Sequence, residues 1–501
     1  MAPLAQQHND NEASSWRQRS KLEKVADLPQ ELEDELDKLD KLFWVSAGKL
    51  KAIVKRFGEE LDDGLSKNNQ NIPMNIGWTG LPTGSEKGTI LTIDLGGTNL
   101  RVCSVTLHGD TKDAQEKSEL DQEQYKLPED LKTGEAEGLW NFIAEKLDSF
   151  VKSRKLDQKY TKEKPMPLGF TFSYPARQDR IDHAVLQTWT KGFDIKGVEG
   201  EDAAYHLREK MESKGLPFEL ICVINDTVGA MIASAYIDPS TIIGAIFGTG
   251  CNAAYMASLS SIKKLKKGAE RTNDAQNGKS DGRMAINCEY GAFDNERRVL
   301  PVTSYDKQID QESPRPGEQA FEKLSAGLYL GEIFRLILLG LADRGLIFKD
   351  QDTKQLHESY SIDTGFLANI EVDGSPKLST TRDLFASKLN LTPTDVEIEL
   401  SRRLAEIIAV RGARLCACGI AAICAKEGLE KGNVAADGSV ANKDPNFKER
   451  WGRALGEILD WKEEWKDGAS GPIGITSAED GSGIGCAIIA AMEIEKRNRE
   501  T

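Results

Sequence analysis

The sequence predicts an α/β fold built from two related domains. Three observations carry that expectation. Short apolar strand-like runs alternate with helical segments from about residue 88 onward. At 501 residues the chain is too long for one ordinary core. "ILTIDLGGTN" and "IIGAIFGTGCN" each run from an apolar strand through a glycine–threonine turn to an asparagine; roughly 150 residues apart, they have the spacing of a duplicated domain rather than a tandem array.

The N-terminus, "MAPLAQQHNDNEASSW", lacks a basic patch leading into an apolar run and carries acids, so it reads as a cytosolic start and residues 1–27 as a flexible tail. In "PQELEDELDKLDKLFWVSAGKLKAIVKRF", Leu32, Leu36, Leu39 and Phe43 recur at helical spacing, giving an amphipathic helix followed by a second. Strands follow at "TILTID", "LRVCSVTL", "PLGFTFS", "FELICVIN" and "TIIGAIF", with helices at "GLWNFIAEKLDSFVKSR" and "TVGAMIASAY" between them. The second half is helix-rich, in "QAFEKLSAGLYLGEIFRLILLGLADRG" and in the long segment opening at Thr394 or Asp395 as caps. Strand texture returns at "NVAADGSV" and "PIGITSA".

A net charge of −15 argues against general affinity for nucleic acid, which is dominated by neutralisation of phosphates. The basic cluster "KKLKK" at 263–267 reads as part of a solvated loop ending near Gly282. Five scattered histidines with no HExxH leave no site for a protein-held transition metal. Eight irregularly spaced cysteines are expected to be reduced core residues. Uninterrupted apolar runs fall short of a bilayer span, so no membrane helix is expected.

The two turns are the first candidates for chemistry. A strand entering a glycine–threonine turn exposes backbone N–H groups that can hold an anion, with Asp94 placed to hold magnesium through water. A pair of hairpins with Asp94 as turn former is the competing reading. The second turn also satisfies a dinucleotide fingerprint at Gly248–Thr249–Gly250–Cys251–Asn252–Ala253, which would make the protein an oxidoreductase, although no helix signal or downstream acid accompanies it. At "VINDTVG" a buried strand meets a helix with Asn225 and Asp226 at the junction, as cap or as proton acceptor. Ser173, Thr190, Lys191, Asn287 and Glu289 are polar residues beside aromatics, of the kind a carbohydrate pocket needs, and Glu322 reads as a helix acid. "AADGSV" and "AEDGSGIGCAIIAA" are strand-to-turn segments that either cap helices or admit a flat ring and phosphates.

Taken in order, "DLGGTNLRV", "LGFTFSYPA", "WTKGFD", "INDTVG", "IFGTGCN", "INCEYGAFDNE", "FEKLSAG", "ADGSV" and "EDGSGIG" resemble the hexokinase family over roughly residues 30–495, most of all its single-unit fungal members. The resemblance implies an actin-like ATPase (ribonuclease H-like) fold with sugar and ATP in a cleft between two domains. It implies a small domain at 83–223 and a large one comprising 28–82 and 224–497. It implies an ATP-dependent kinase acting on the 6-hydroxyl of a hexose, glucose with fructose and mannose, with Mg²⁺. Asp226 would be the general base, with Lys191 beside it as a catalytic residue. Ser173, Thr190, Lys191, Asn225, Asn252, Glu289 and Glu322 would hold sugar hydroxyls. Asp94, Leu95, Gly96, Gly97, Thr98, Asn99 and Thr249 would grip phosphates and Mg²⁺, Arg101 would order the first turn, and Gly438, Ser439, Gly481 and Gly483 would flank the nucleotide. Gln124 departs from the family, which often has a lysine there. A cytoplasmic monomer or homodimer with small-molecule partners is expected, without nucleic acid or membrane. The competing reading on the same fold is a catalytically inactive sugar sensor.

Overall fold

The computed structural model describes residues 16, 24–111, 116–265, 282–462, 471–478 and 480–500. Most of the expected tail 1–27 and most of the basic loop after residue 265 lie outside the described residues. Where the tail is described it is held down: Trp16 Nε1 donates to Glu457 Oε1 at 2.9 Å and its ring lies against the Arg414 and Arg453 guanidinium groups, while Val25 N donates to Glu399.

In chain order the strands are β1 (Asn75–Ile76), β2 (Lys87–Leu95), β3 (Asn99–His108), β4 (Ser118–Lys126), β5 (Met166–Phe172), β6 (Ala176–Arg177) and β7 (Val185–Leu186). They continue with β8 (Phe218–Ile224), β9 (Thr241–Phe247), β10 (Cys251–Ser258), β11 (Arg283–Asn287), β12 (Gly432–Asp437) and β13 (Ile473–Ser477). One sheet has the order β4-β3-β2-β5-β8, antiparallel at its first two joins and parallel at the last two. The other, β1-β11-β10-β9-β12-β13, repeats that pattern from β11 to β13. The sequence echo is therefore a structural one: β2 and β9 are the equivalent central strands, and each ends in one of the two turns.

Alternation along β2 sorts its side chains by face. Leu91, Ile93 and Leu95 join the core shared with the Ala136–Ser153 and Ala203–Ser213 helices. Ile90 joins a second core, which includes Ala487, Ile488 and Ile489 of the Gly481–Glu500 helix. Thr92 and Asp94 share that face by the same alternation. The expected assignment put residues up to 497 in the large unit; this second core is shared, because Val228, Met231 and Ile232 of the Asp226–Ile237 helix and Ala254 and Met256 of β10 join it too. The C-terminal helix packs on β2, β5 and β8, whose parallel joins require cover on both faces. On its other side it meets the Asp226–Ile237 helix so closely that a Cβ on Gly485 would lie 2.0 Å from Gly229 O.

The larger core gathers the Gln30–Phe43, Ala47–Ser66, Gly327–Asp343, Asp395–Glu427 and Phe447–Ile458 helices. The long helix opens on the expected Thr394 cap in a reciprocal capping box with Glu397, and closes on left-handed Gly428. It is long and apolar enough to cross a membrane, contrary to the expectation from uninterrupted runs, but its most apolar stretch is 89% buried inside the fold. Its buried Arg411 pairs with Asp306 at 2.9 Å. All eight cysteines are buried and free, as expected.

Candidate active site

Ser173, Thr190, Lys191, Asn225, Asp226, Asn252, Glu289 and Glu322, spread over 150 residues of sequence, line one pocket. Each arrives from a different local device. Asn225 is the N-cap of the Asp226–Ile237 helix, its side chain accepting from Thr227 N. The capping and proton-accepting readings thus fall on neighbouring residues. Asp226 Oδ1 also accepts from Thr227 N at 2.9 Å, while Oδ2 faces Lys191 Nζ at 3.6 Å.

Lys191 is held out by an aromatic cluster. Trp189 packs edge-on against Tyr174 and stacks on Phe193, and its Nε1 donates to Ile195 O. The lysine has φ of +57°, a left-handed backbone uncommon for a non-glycine residue, and its Nζ donates to Ser173 O at 2.8 Å. Glu289 and Gln319, both lining the pocket, are left-handed as well. Strained backbone of this kind concentrates at functional sites.

Glu289 is oriented by three amides. Asn225, Asn252 and Asn287 each direct Nδ2 to its Oε1, at 3.1, 3.2 and 2.8 Å, and Asn252 Oδ1 accepts from Glu289 N. Burial pushes the Glu289 carboxyl up to about 7, with Asp226 and Glu322 adding to the rise against the Asn287 hydrogen bond and Lys191. Burial likewise raises Glu322, whose Oε2 accepts from Cys251 N, and Asp94. Burial would lower Lys191, but Asp226, Glu289, Glu322 and Asp94 together outweigh it and raise the ammonium. One cation thus sits among four acids. Because Glu289 binds its proton more tightly folded than unfolded, its stabilising contribution is complete below pH about 4.5 and is lost as pH rises through about 7. Glu289→Gln is expected to flatten the fall of the melting temperature of the sugar-free protein between pH 5 and 8, a comparison made by calorimetry at matched ionic strength.

The two turns meet at this pocket. Gly96 and Gly97 do not have positive φ, nor do Gly248 and Gly250, so the glycines are not there for a left-handed turn. Gly97, Gly248 and Gly250 are there for space. A Cβ on Gly97 would lie 3.2 Å from Lys191 Cβ and Cδ; one on Gly250 would lie 2.6 Å from Glu322 Oε2 and 3.4 Å from Lys191 Cε. The Lys191 stem therefore spans from the first turn to the second.

Asp94 is buried, with Oδ1 accepting from Ser173 Oγ and Oδ2 from Ser482 Oγ. Arg101 Nη1 stands 3.9 Å from Asp94, and its Nε donates to Gln124 Oε1, so the residue that departs from the family contacts the arginine expected to order the turn. Leu95 is buried in the core, so only its backbone is available to a ligand. Thr98 is exposed, Asn99 and Thr249 are half-buried, and Asn99 O accepts from Gly96 N to close the first turn. Gly438 and Ser439 abut the second turn: a Cβ on Gly248 would lie 3.1 Å from Gly438 Cα and 3.3 Å from Ser439 N. Gly481 and Gly483 do not line the pocket. They are buried, Gly481 where a Cβ would lie 3.2 Å from Ala230 Cα and Gly483 beside Thr92 and Cys103.

The dinucleotide fingerprint is excluded by β10, which is a strand where that motif requires a helix. A magnesium ion held through water fits the donor set: each Asp94 oxygen accepts one hydroxyl, and an oxygen with further lone pairs can take a water. Among the described residues, the one group of three acids close enough to share a metal, Glu60, Asp294 and Glu296, does not line the pocket.

Sequence reasoning missed three things. Gln319 has no signal of its own. The helix expected to run through "FEKLSAGLYL" breaks at Ala326, and the new N-terminus donates Gly327 N to Gly248 O and Leu328 N to Thr249 O, bracing the second turn. Asn287, singled out as polar but given no role, is the buried member joining Asn252 to Glu289.

Two family models match, both described as hexokinase, over residues 35–236 and 242–492. A hexokinase of Emericella nidulans is 51% identical over 477 residues, 94% of this chain and 93% of its own length. Hexokinase-1 of Saccharomyces cerevisiae is 48% identical, covering 95% of each chain. The solved hexokinase of Schistosoma mansoni complexed with glucose superimposes with a TM-score of 0.80 at 32% identity, covering 92% of this chain and 99% of that one.

Proposed function

The chain belongs to the hexokinase family, and from that membership and the pocket geometry we infer that it transfers the γ-phosphoryl group of ATP to the 6-hydroxyl of a hexose. Glucose is the acceptor, with fructose and mannose sharing the reacting hydroxyl. The observation that supports this most is that the Lys191 side chain lies beside both glycine turns, where a Cβ on Gly97 or Gly250 would meet it, while its ammonium faces Asp226.

In the reaction the sugar O6 attacks the γ-phosphorus in line, the O6–P bond forms and the bond to the ADP oxygen breaks. Asp226 accepts the O6 proton on Oδ2, the oxygen not engaged by Thr227 N. Lys191, together with the backbone amides of the two turns, meets the charge spread over the equatorial oxygens. Magnesium arriving with the nucleotide supplies further positive charge at the phosphates, and Asp94 would hold it through water. The amide-clamped Glu289, with the buried Asn252 and Glu322, orients the sugar so that O6 points to Asp226, and the bound sugar fills the place a competing water would take.

The presence of both turns, the base and the Lys191 ammonium facing it favours an enzyme over an inactive sugar sensor. A cytoplasmic setting belongs to the same proposal, supported by eight buried cysteines without a disulfide. The test is coupled detection of ADP with glucose, fructose and mannose. Sugar-dependent ADP release is expected, whereas sugar binding without release would favour the sensor.

A further inference from the structure

Arg315 does not line the sugar pocket, yet it joins the pocket's two walls from outside. Its Nη1 donates to Thr188 Oγ1 at 2.6 Å and its Nη2 to Glu199 Oε1 at 2.7 Å, while Asp194 and Glu318 stand 3.6 and 3.9 Å away. Thr188 and Glu199 bound the segment that carries Thr190 and Lys191, whose Trp189, Phe193, Ile195 and Val198 belong to the core of the β4-β3-β2-β5-β8 sheet. Arg315 itself lies between the Ser304–Glu312 and Ala320–Ser325 helices, whose Ile309, Phe321 and Leu324 belong to the larger core. Glu199 Oε1 also accepts from Trp189 N at 2.6 Å. The guanidinium and the backbone one residue before Thr190 therefore share one carboxylate oxygen.

The arginine is presented by a stiff bracket. Pro314 and Pro316 flank it, each with its own φ fixed, and the second biases Arg315 toward extended backbone. Gly317 takes φ of +87° and donates its N–H to both oxygens of Asp310, at 3.0 and 3.1 Å. Lys323 Nζ donates to Asp310 Oδ1 at 2.7 Å and to Arg315 O at 2.8 Å, and both Asp310 and Lys323 are buried. The segment cannot swing aside without breaking its bonds to this buried ion pair. It ends at Gln319, which lines the sugar pocket. Nearby, Asn75 Nδ2 donates to Gln187 Oε1 at 2.8 Å, a neutral link between the same two walls to which Arg315 adds a charged one.

We propose that Arg315 is a positioning residue for sugar binding: through Thr188 and Glu199 it clips the segment bearing Thr190 and Lys191 to the opposite wall of the pocket. Arg315 touches no substrate. With the clip released, the hexose's own contacts must hold the two walls together, and apparent affinity falls in proportion to the fraction of molecules whose walls are joined. Saturating sugar restores the assembled pocket, so the loss falls on the KM for glucose and not on kcat. The proposal rests on the functional reading above, because it takes this pocket to hold a hexose.

The experiment is calorimetric titration of the full-length protein with glucose at low salt and at about 1 M NaCl, beside steady-state ADP release, for wild type, Arg315→Ala, Glu199→Gln and the double variant. The side chains of Arg315 and Glu199 are 28% and 36% exposed, so the pair is partly screened. A loss of about five-fold in glucose affinity is expected for Arg315→Ala at low salt, with the KM for glucose raised alike and kcat at saturating glucose within about two-fold of wild type. Glucose is uncharged, yet the gap between wild type and Arg315→Ala should narrow at high salt, because the ions screen the clip. Glu199→Gln keeps an acceptor for Trp189 N but loses the charge, and should weaken glucose about three-fold. In that background Arg315→Ala should cost less than it does alone, since paired residues are not additive. Unchanged glucose affinity in Arg315→Ala, a gap that salt does not narrow, a loss confined to kcat, or full additivity with Glu199→Gln would each overturn the proposal. Unchanged affinity in Glu199→Gln overturns it even if Arg315→Ala does not fold. Failure of the functional reading would look different, because wild type itself would then release no ADP with any hexose.

Discussion

Asp226→Ala is expected to lower kcat by roughly 10²–10⁴-fold, the span of general-base catalysis, while leaving the protein folded and glucose binding measurable. The fold survives because the helix start does not depend on this carboxylate: Asn225 Oδ1 accepts from Thr227 N at 2.9 Å and caps the helix alone. Sugar binding survives because Ser173, Asn252, Glu289 and Glu322 remain, with the amide clamp on Glu289 intact. What is lost is the acceptor for the O6 proton. Steady-state ADP release, read beside the calorimetric affinity for glucose, checks this. A kcat within about ten-fold of wild type would remove Asp226 from the mechanism.

Lys191→Met is expected to damage both stability and turnover. Its ammonium faces the charge of four acids, the half-buried Asp226 and Glu289 and the buried Glu322 and Asp94. Removing the cation leaves them with like-charge repulsion in a site where the side chains of Lys191 and Asp226 are only 14% and 13% exposed. Breaking a buried pair in this way costs about 3–5 kcal/mol. Some acids will take up protons in response, so the loss of stability should be smaller at pH 6 than at pH 8. Turnover should fall by roughly 10²–10³-fold, as when one transition-state donor is removed. Thermal melts at the two pH values and kcat/KM for ATP measure the two effects. A variant with wild-type melting at pH 8 would contradict the role of Lys191 as the common counter-ion.

The elements legible in the sequence were those whose local pattern and final environment agree. The central strand Lys87–Leu95 is apolar because both its faces are covered, and Thr394 reads as a cap because it is one. The Ser118–Lys126 strand, "SELDQEQYK", was not legible: it lies at the sheet edge with no buried position, so it carries no apolar alternation. The break at Ala326 was also hidden. It follows from hydrogen bonds to Gly248 and Thr249, about 80 residues away, which no local propensity encodes. The same holds for the C-terminal helix, whose partner sheet is set by tertiary packing.

The site divides in the same way. Residues in short distinctive segments, such as Lys191 in "WTKGFD" and Asp226 in "INDTVG", could be singled out and prove to share a pocket. The reason for the glycines could not be read, because positive φ and close approach leave the same residue in the sequence. Gly97 and Gly250 turn out to make room for Lys191 and Glu322. Gln319 stayed silent because its place in the pocket is defined only by what folds against it.

The most direct measurement is a crystal structure of the protein with glucose, Mg²⁺ and a non-hydrolysable ATP analogue. It should show the glucose 6-hydroxyl hydrogen-bonded to Asp226 Oδ2, with the terminal phosphate lodged between residues 94–99 and 248–250 on the far side of that oxygen. A sugar whose 6-hydroxyl points away from Asp226, or a phosphate contacted by only one of the two turns, would contradict the account.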